Sequence, residues 1–227
     1  MSWQDKTIVF DLDGTLVDTA PDLHAALVHS FEIAGLEAVS LTTVRDAIGH
    51  GARAMIEFSA NAKGYVLTET QLTEMHQNFL THYIAHIADC SRPFDGIIEC
   101  LDFCDAKNAR LAVCTNKTQA LAVEVLTTLG LFDRFHSIVG ADAASEKKPS
   151  AAHIIEAVQL AGGELKGAVM VGDSSTDGFA AKAAGIPFFL MSYGYLDSRI
   201  SEVPVAARLD RAFELPAALE RLFSRAS

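Results

Sequence analysis

The decapeptide KTIVFDLDGT, at residues 6–15, contains the strongest indication of the fold. Its first half is short, apolar and rich in β-branched residues, which is typical of a strand buried on both faces of a parallel sheet. Two carboxylates, Asp11 and Asp13, follow this strand, and Gly14 permits a sharp turn. Carboxylates beside a buried strand are costly unless a metal ion or hydrogen bonds compensate them. The junction therefore predicts a functional site, with an Asx-turn and a helix cap as the simpler alternative.

Strands and helices alternate through the second half of the chain. Short apolar segments predict four more strands, at residues 110–114, 136–139, 168–171 and 186–190. Helical patterns lie between them, at residues 118–130, from a Ser150 cap to about Ala161, and at 175–184. This alternation predicts an α/β fold with a parallel sheet covered by helices on both faces.

Residues 18–89 do not follow that alternation. They contain four helix-like stretches and no convincing strand, at residues 21–34, 44–48, 53–62 and 68–87. Residues 91–96, rich in Pro and Gly, are typical of a linker that returns to the first unit. We therefore expect an α/β core at residues 1–17 and 90–227, with a helical domain inserted at residues 18–89.

Composition and charge exclude several classes of protein. The chain is 50% hydrophobic and 21% charged, an ordinary globular balance that argues against disorder. Its net charge of −11 disfavours nucleic acid and anionic membranes as partners. We see neither a signal peptide nor an apolar run approaching the ~18 residues of a membrane helix, so we expect a cytoplasmic protein. An acidic protein that handles an anion must gather local cations.

The cysteines and one histidine pair have simple interpretations. The four cysteines form no CxxC pair, and we expect free thiols rather than a zinc or redox site. His82 and His86 are spaced four apart, as in some metal sites. No third ligand is evident near them, so a helix surface is the expected setting.

Three further polar clusters follow predicted strands. Thr115 and Asn116 offer a hydroxyl and backbone amides to an anion, although such a pair often only caps a helix. Lys148 precedes Pro149, which favours an extended backbone, although most such lysines are solvated. Asp173 follows the strand at 168–171. In open parallel sheets, ligands bind at the carboxyl ends of strands where the strand order reverses, so these clusters are expected to meet.

Taken together, the four clusters resemble the motifs of the haloacid dehalogenase superfamily of aspartate-nucleophile phosphatases, in order and over essentially the whole chain. The matching positions are Asp11-x-Asp13-Gly-Thr, Thr115, Lys148 and Gly172-Asp173-x-x-x-Asp177. The resemblance implies a Rossmann-like core with a helical cap inserted after the first motif. Ser150-Ala151 stands where the family often has an acid and a second proline, which leaves Lys147 as an alternative to Lys148.

The resemblance also implies a mechanism. Asp11 would attack phosphorus to give an aspartyl-phosphate, and Asp13 would protonate the leaving oxygen and then activate water. Thr115, Asn116 and Lys148 would hold the phosphate. A Mg²⁺ ion would also be bound, and the implied metal ligands are Asp11, the Asp13 carbonyl, Asp173 and Asp177. Asp177 would either support the metal or orient Lys148.

Within that superfamily the chain is most similar to bacterial phosphoglycolate phosphatases. The supporting stretches are residues 17–23, 49–52, 114–117 and 193–195. We expect 2-phosphoglycolate as the substrate, with a loop closing over the site that comprises Gly49, His50, Gly51, Ala52 and Arg53. The simpler alternative is a turn between helices followed by an exposed arginine.

Several rival functions remain open from the sequence. Asp13 argues against dehalogenases and phosphonate-cleaving relatives, which do not need that acid. A pyrophosphatase or a nucleotidase of the same fold stays possible. Sugar-phosphate mutases carry a histidine at the position of Leu23, and His24 is adjacent. A non-enzymatic binding protein is disfavoured because every charged motif position is filled. The sequence leaves monomer and homodimer open.

Overall fold

The computed structural model describes residues 2–224, except for the side chains of Asp46 and His50. Its elements, in chain order, are β1 (Thr7–Phe10), β2 (Val17–Asp18), α1 (Ala20–Ile33), α2 (Leu41–Val44), α3 (Ala52–Ala62), α4 (Glu69–Ala85), β3 (Arg92–Pro93), α5 (Ile97–Ala106), β4 (Arg110–Cys114), α6 (Gln119–Thr128), β5 (Ser137–Val139), α7 (Ala151–Leu160), β6 (Ala168–Gly172), α8 (Ser175–Ala184), β7 (Phe188–Met191), β8 (Ala207–Leu209) and α9 (Leu215–Ser224). Across these described residues, no helix has both the length and the hydrophobicity that a membrane span requires.

Six strands form one parallel sheet in the order β5-β4-β1-β6-β7-β8. The central strand, β1, pairs with β4 on one side and β6 on the other, so that Phe10 lies level with Val113 and Val171. All four residues of β1 and all five of β6 are buried, as expected for apolar strands covered on both faces. The predicted Rossmann-like α/β core is confirmed.

The predicted strands all form, with ends displaced by at most two residues, and β4 has the predicted bounds. The last of the five shows the largest displacement: β7 begins at Phe188 rather than Ile186. The structure adds two helices, α5 and α9, and an edge strand, β8, to the predicted elements. Only Leu209 of β8 is buried, so this strand lacks the apolar pattern that marks the inner strands.

Helices α1 to α4, residues 20–85, make up what we call the helical segment. The prediction for residues 44–48 was wrong: α2 ends at Val44, and a 3₁₀-helix follows over Arg45–His50. The regular turn starts earlier than predicted because Ser40 caps α2 by accepting a hydrogen bond from the Thr43 amide. A reciprocal pair of Thr68 and Gln71 hydrogen bonds caps α4 in the same manner.

The two chain crossings between the sheet and the helical segment lie side by side. β2 and β3 pair antiparallel, with Asp18 opposite Arg92, a small sheet that the sequence did not predict. The buried carboxylate of Asp22 accepts hydrogen bonds from the Cys90 and Ser91 amides and from the Ser91 hydroxyl. These bonds join the start of α1 to the returning chain, and so fix where the helical segment begins and ends.

Candidate active site

The predicted polar clusters meet at the carboxyl ends of β1, β4 and β6. Asp11 follows β1, Thr115 follows β4 and Asp173 follows β6. The strand order reverses here, since the chain runs outward from β1 to β4 and β5 and then returns to β6. Asp11, Thr115, Lys148, Asp173 and Asp177 are all buried. One compact site therefore gathers all four motifs.

Lys148 lies between two of the carboxylates. Its Nζ is 2.8 Å from Asp11 Oδ1 and 2.6 Å from Asp177 Oδ1. Burial alone would lower the pKa of this lysine, but the two carboxylates overcome that effect and hold it above its ordinary value. Lys147 is exposed and lies outside this contact. Of the two candidate lysines, Lys148 is thus the one that contacts the site carboxylates.

Asp173 is held by the loop that follows β1 and by the loop that follows β7. Its Oδ1 accepts a hydrogen bond from the Thr15 hydroxyl at 2.9 Å, and its Oδ2 accepts one from the Tyr195 amide. Gly14 has φ +85°, and a Cβ there would lie 2.2 Å from Asp173 Oδ2. The first motif therefore needs a glycine both for its turn and for the close approach to Asp173.

Asp11, Asp173 and Asp177 bring carboxylate oxygens within 4.8 Å of one another. Burial raises the pKa of Asp11 to about 7, although Lys148 opposes that effect. Burial, Asp177 and Asp11 raise the pKa of Asp173 well above its ordinary value. Asp11 Oδ1 is also buried without a hydrogen-bond donor of good geometry, despite its ion pair with Lys148. Three carboxylates against one ammonium leave an excess of negative charge, and oxygen donors of this kind fit a hard divalent cation.

Asp177 already has partners for both oxygens. Its Oδ1 accepts from Lys148, while its Oδ2 accepts from the amide and the hydroxyl of Ser174, the residue that caps α8. Ser174 in turn accepts from the Asp177 amide, which completes a capping box. These contacts favour the role of orienting Lys148 over direct metal binding.

Thr115 and Asn116 differ in what they offer to a ligand. The Thr115 hydroxyl accepts a hydrogen bond from the Lys117 amide at 3.1 Å and keeps its proton for another acceptor. The Asn116 side-chain amide donates to the carbonyl oxygens of Lys148 and Gly49, at 3.2 and 3.5 Å. Asn116 therefore connects the loop after β4 to the 3₁₀-helix that precedes α3.

Asp13 lies outside the three-carboxylate cluster and faces the helical segment. Its Oδ1 accepts from the Thr19 hydroxyl at 2.6 Å and lies 3.1 Å from Lys117 Nζ. Lys117 also donates to the hydroxyl of Tyr83, on α4, at 3.1 Å. The sequence alone predicts no role for Thr19, Lys117 or Tyr83. Thr19 and Lys117 fall within stretches that carry the family resemblance, and the apolar spacing of α4 predicts nothing about Tyr83 beyond packing.

A cavity of about 440 Å³ opens above Asp11 and Asp13, between the sheet and the helical segment. The predicted loop residues Gly49, Gly51 and Arg53 line it, together with Thr115 and Asn116. Gly51 has φ +95° and precedes the first turn of α3. The side chain of His50 lies outside the described residues. The predicted loop therefore borders the same cavity as the carboxylates.

The guanidinium of Arg53 is already paired within the helical segment. It lies 2.6 Å from Glu69 and 3.7 Å from Glu57, and its side chain is 42% exposed. Exposed pairs of this kind contribute only about 0–1 kcal/mol. An anion in the cavity can therefore compete with them for the guanidinium.

The histidines and cysteines set apart in the sequence analysis lie outside this site. The rings of His29, His82 and His86 stack in a row, and His86 pairs with Asp89. Within the part of the chain that the structure describes, only Asp11, Asp173 and Asp177 form a convergent set of metal-binding groups. All four cysteines are free thiols, as expected, and three of them are buried.

Comparison with known proteins identifies the family to which this arrangement belongs. The family model described as haloacid dehalogenase-like hydrolase matches residues 8–191. A phosphoglycolate phosphatase of Agrobacterium fabrum is 41% identical over 96% of this chain and 94% of its own length. One from Mesorhizobium japonicum is 40% identical over 97% of each chain. Among solved structures, a predicted phosphoglycolate phosphatase from Haemophilus somnus superposes with a TM-score of 0.86 and 29% identity, covering 93% of this chain and 96% of that one.

Proposed function

Because the chain belongs to the haloacid dehalogenase-like hydrolases, we propose that it hydrolyses a small phosphate monoester at Asp11, most specifically 2-phosphoglycolate. The chain is a phosphoric monoester hydrolase by its family and its relatives. The observation that carries the proposal is the buried contact of Asp11 with Lys148 beneath a cavity that Thr115 also lines. A carboxylate, an ammonium group and a hydroxyl donor lie around one point at the carboxyl ends of the strands, which supports Asp11 as the nucleophile.

Asp11 is the proposed nucleophile. Its carboxylate would attack phosphorus, the bond to the leaving oxygen would break, and an aspartyl-phosphate would form. Lys148 and Thr115 would hold the other phosphoryl oxygens, with Asn116 keeping their two loops together through its hydrogen bond to the Lys148 carbonyl. Asp177 would fix the orientation of Lys148. In phosphoryl transfer, such positioning and neutralisation of charge supply most of the acceleration.

Asp13 is the proposed acid and base. It would give a proton to the leaving oxygen and later take one from the water that hydrolyses the aspartyl-phosphate. Its Oδ1 accepts from Thr19, which leaves Oδ2 for that exchange. The side chain is 11% exposed at the floor of the cavity and so remains within reach of a substrate.

Asp11 and Asp173 fit a divalent metal ion, with the Asp13 carbonyl as a further proposed ligand. Asp177 lies beside them in the same cluster and contacts Lys148. The buried excess of carboxylates over ammonium groups, together with an Asp11 Oδ1 that lacks a hydrogen-bond donor of good geometry, argues for a cation at this point. A bound Mg²⁺ would neutralise charge on the phosphoryl oxygens, which otherwise repel the approaching carboxylate.

We further propose that residues 18–89 act as a cap, with Gly49, His50, Gly51 and Arg53 at the closing edge. The amides at the start of α3 have no side-chain cap and favour an anion. Arg53 would receive the carboxylate of 2-phosphoglycolate. The names of the two bacterial relatives support this substrate. His24, the residue beside the mutase position, contacts the Val39 carbonyl oxygen at 2.9 Å, away from the cavity, which favours a phosphatase over a mutase.

The decisive experiment is a panel of phosphate esters assayed with Mg²⁺. It should contain 2-phosphoglycolate, p-nitrophenyl phosphate, pyrophosphate, nucleoside monophosphates and a hexose phosphate. The proposal expects the highest kcat/KM on 2-phosphoglycolate. A higher kcat/KM on pyrophosphate or on a nucleotide would reject the assignment, and conversion of the hexose phosphate to its isomer would indicate a mutase. The cytoplasmic location stays a prediction.

A further inference from the structure

We propose that Lys117 is a positioning residue for Asp13, and that the Tyr83 hydroxyl makes this positioning depend on the helical segment. The inference rests on the proposed phosphatase function and deepens it. It follows from two linked contacts of Lys117. The Lys117 ammonium contacts both Asp13, in the loop after β1, and Tyr83, on α4.

The contacts of Asp13 distinguish its two oxygens. Oδ1 receives both the Thr19 hydroxyl, at 2.6 Å, and the Lys117 ammonium, at 3.1 Å. Oδ2 has no hydrogen-bond donor among residues 2–224, with the side chains of Asp46 and His50 left aside. Two donors on one oxygen restrict the plane of the carboxylate and leave the other oxygen without a protein donor, on a residue that lines the cavity. That second oxygen is the one that can exchange a proton with a substrate.

Lys117 is itself held in place on the side of the helical segment. Its side chain is only 5% exposed. Its Nζ donates to the Tyr83 hydroxyl at 3.1 Å and lies 4.7 Å from the centre of the Tyr83 ring, within cation–π range. A lysine side chain loses about 2 kcal/mol of rotamer entropy when it is fixed, so a single ion pair holds it poorly. Tyr83 supplies the second and third contacts that confine the ammonium.

Tyr83 transmits the position of the helical segment to Asp13. It is fully buried, and its ring stacks on Phe79 one turn earlier in α4. Lys117 belongs to the loop after β4, on the sheet side of the cavity. A displacement of α4 away from the sheet would therefore withdraw the hydroxyl and the ring from Lys117. Asp13 would keep its Thr19 contact but lose the confined cation, and with it the fixed direction of Oδ2.

The chemical consequence depends on the leaving group. An alkoxide leaves only if a proton reaches it as the bond to phosphorus breaks, so an alkyl phosphate needs Oδ2 of Asp13 in the correct position. The p-nitrophenolate ion leaves without a proton. Misplacing Asp13 should therefore slow 2-phosphoglycolate hydrolysis more than p-nitrophenyl phosphate hydrolysis. A general loss of structure would affect both esters equally.

The test measures kcat/KM for both esters in Lys117→Met and Tyr83→Phe, because kcat/KM reports the steps up to departure of the leaving group and not the later attack of water. We expect Lys117→Met to lower kcat/KM on 2-phosphoglycolate about tenfold more than on p-nitrophenyl phosphate, which corresponds to about 1.4 kcal/mol. Tyr83→Phe should give the same preference at about threefold, since it removes one contact of the ammonium and keeps the ring. Lys117→Arg should restore part of the loss.

Two matched controls are available in the chain. Lys107 also lies over an aromatic ring, 5.2 Å from Phe103, and pairs with Glu220, so Lys107→Met removes the same type of contacts at the far end of the core. Tyr65 is a tyrosine of the helical segment whose hydroxyl contacts the Glu37 amide. Lys107→Met and Tyr65→Phe should leave the ratio of the two kcat/KM values unchanged.

A double-mutant cycle separates positioning from mere structural support. In an Asp13→Asn background, Lys117→Met should no longer change the ratio of the two esters. Equal losses on both esters, or a preference that persists without Asp13, would overturn the proposal. If Lys117→Met does not fold, Tyr83→Phe decides the question by the same ratio. Failure of the proposed function looks different, because the unaltered protein would then prefer pyrophosphate or a nucleotide to 2-phosphoglycolate, or would isomerise the hexose phosphate.

Discussion

Two lysines contact the site carboxylates, but they belong to different parts of the molecule. Lys148 is confined by Asp11, which follows β1, and by Asp177, in the first turn of α8, so both partners belong to the core. Lys117 is confined by Asp13 on one side and by Tyr83 of the helical segment on the other. Lys148 and Thr115, which are proposed to bind the phosphate, are therefore positioned by contacts within the core. The group proposed to move the proton is assembled only when the helical segment is in place.

Removal of the divalent metal ion should cause the largest loss of activity, because it affects the cluster of Asp11, Asp173 and Asp177. Three buried carboxylates face a single ammonium group there, whereas the charges of Asp13 and Lys117 balance each other without a metal ion. We expect EDTA to lower kcat/KM on the order of 10³-fold or more, which corresponds to a loss of several kcal/mol of transition-state stabilisation. Addition of Mg²⁺ should restore activity, and Ca²⁺ should inhibit it. Asp173→Ala should reproduce the loss. Undiminished hydrolysis after exhaustive chelation would contradict the metal site.

Lys148→Met should produce the next largest loss. It removes a cation from the phosphoryl group, and the loss of one such electrostatic contact costs about 10²–10³-fold in kcat. Because the phosphoryl group is common to all substrates, 2-phosphoglycolate and p-nitrophenyl phosphate should lose equally, in contrast to Lys117→Met. Lys182→Met, on the exposed side of α8, is the control. A loss confined to one ester would place Lys148 on the leaving group instead.

Arg53→Ala and Gly51→Val should have smaller and selective effects. Arg53 lines the cavity at half exposure, and Gly51 has a positive φ that a valine would strain. We expect KM for 2-phosphoglycolate to rise about tenfold, equivalent to about 1.4 kcal/mol, with p-nitrophenyl phosphate unaffected. Arg211→Ala removes a comparable exposed arginine, paired with Glu214, and should change neither KM. Small, equal effects on both esters would locate the specificity elsewhere in the helical segment.

His153, in the core next to Lys148, should make the free energy of unfolding depend on pH. Its Nδ1 accepts from the Lys148 amide, and its Nε2 contacts the Val139 carbonyl oxygen, which fits a neutral ring. Burial, reinforced by Lys148, lowers the pKa of His153 from 6.5 to about 4. The unfolded chain therefore takes up this proton first as the pH falls. Its contribution to stability is complete above pH 6.5 and is lost toward pH 4.

The measurement is urea unfolding at neutral and acidic pH. The free energy of unfolding of the unaltered protein should fall by up to about 3 kcal/mol more than that of His153→Gln over this range. His86→Gln, on the surface of the helical segment, is the control. Parallel losses in the unaltered protein and in His153→Gln would show that another group governs acid sensitivity.

Local patterns together with the family resemblance predicted the groups of the core, but neither predicted the link from Asp13 through Lys117 to the helical segment. Asp11, Lys148 and Asp173 each follow a strand with a clear apolar pattern, and parallel strands bring their carboxyl ends to one edge. Tyr83 lies 34 positions before Lys117 on a helix whose apolar spacing indicates only packing, so nothing local connects the two. β2 and β3 form over two residues each, paired across the two chain crossings, which is too short for any periodic pattern.

If Asp11 is the nucleophile, each turnover passes through a phosphorylated Asp11 that can be trapped. Asp13→Asn, which slows the attack of water, should be mixed with Mg²⁺ and p-nitrophenyl phosphate, whose leaving group needs no proton, then quenched in acid and treated with borohydride to reduce an acyl phosphate to the alcohol. Mass spectrometry should then find the reduced side chain at Asp11 and nowhere else, and Asp11→Asn treated in the same way should show none. Phosphate release with Asp11 unmodified, or with the reduced group on another residue, would show that Asp11 is not the nucleophile.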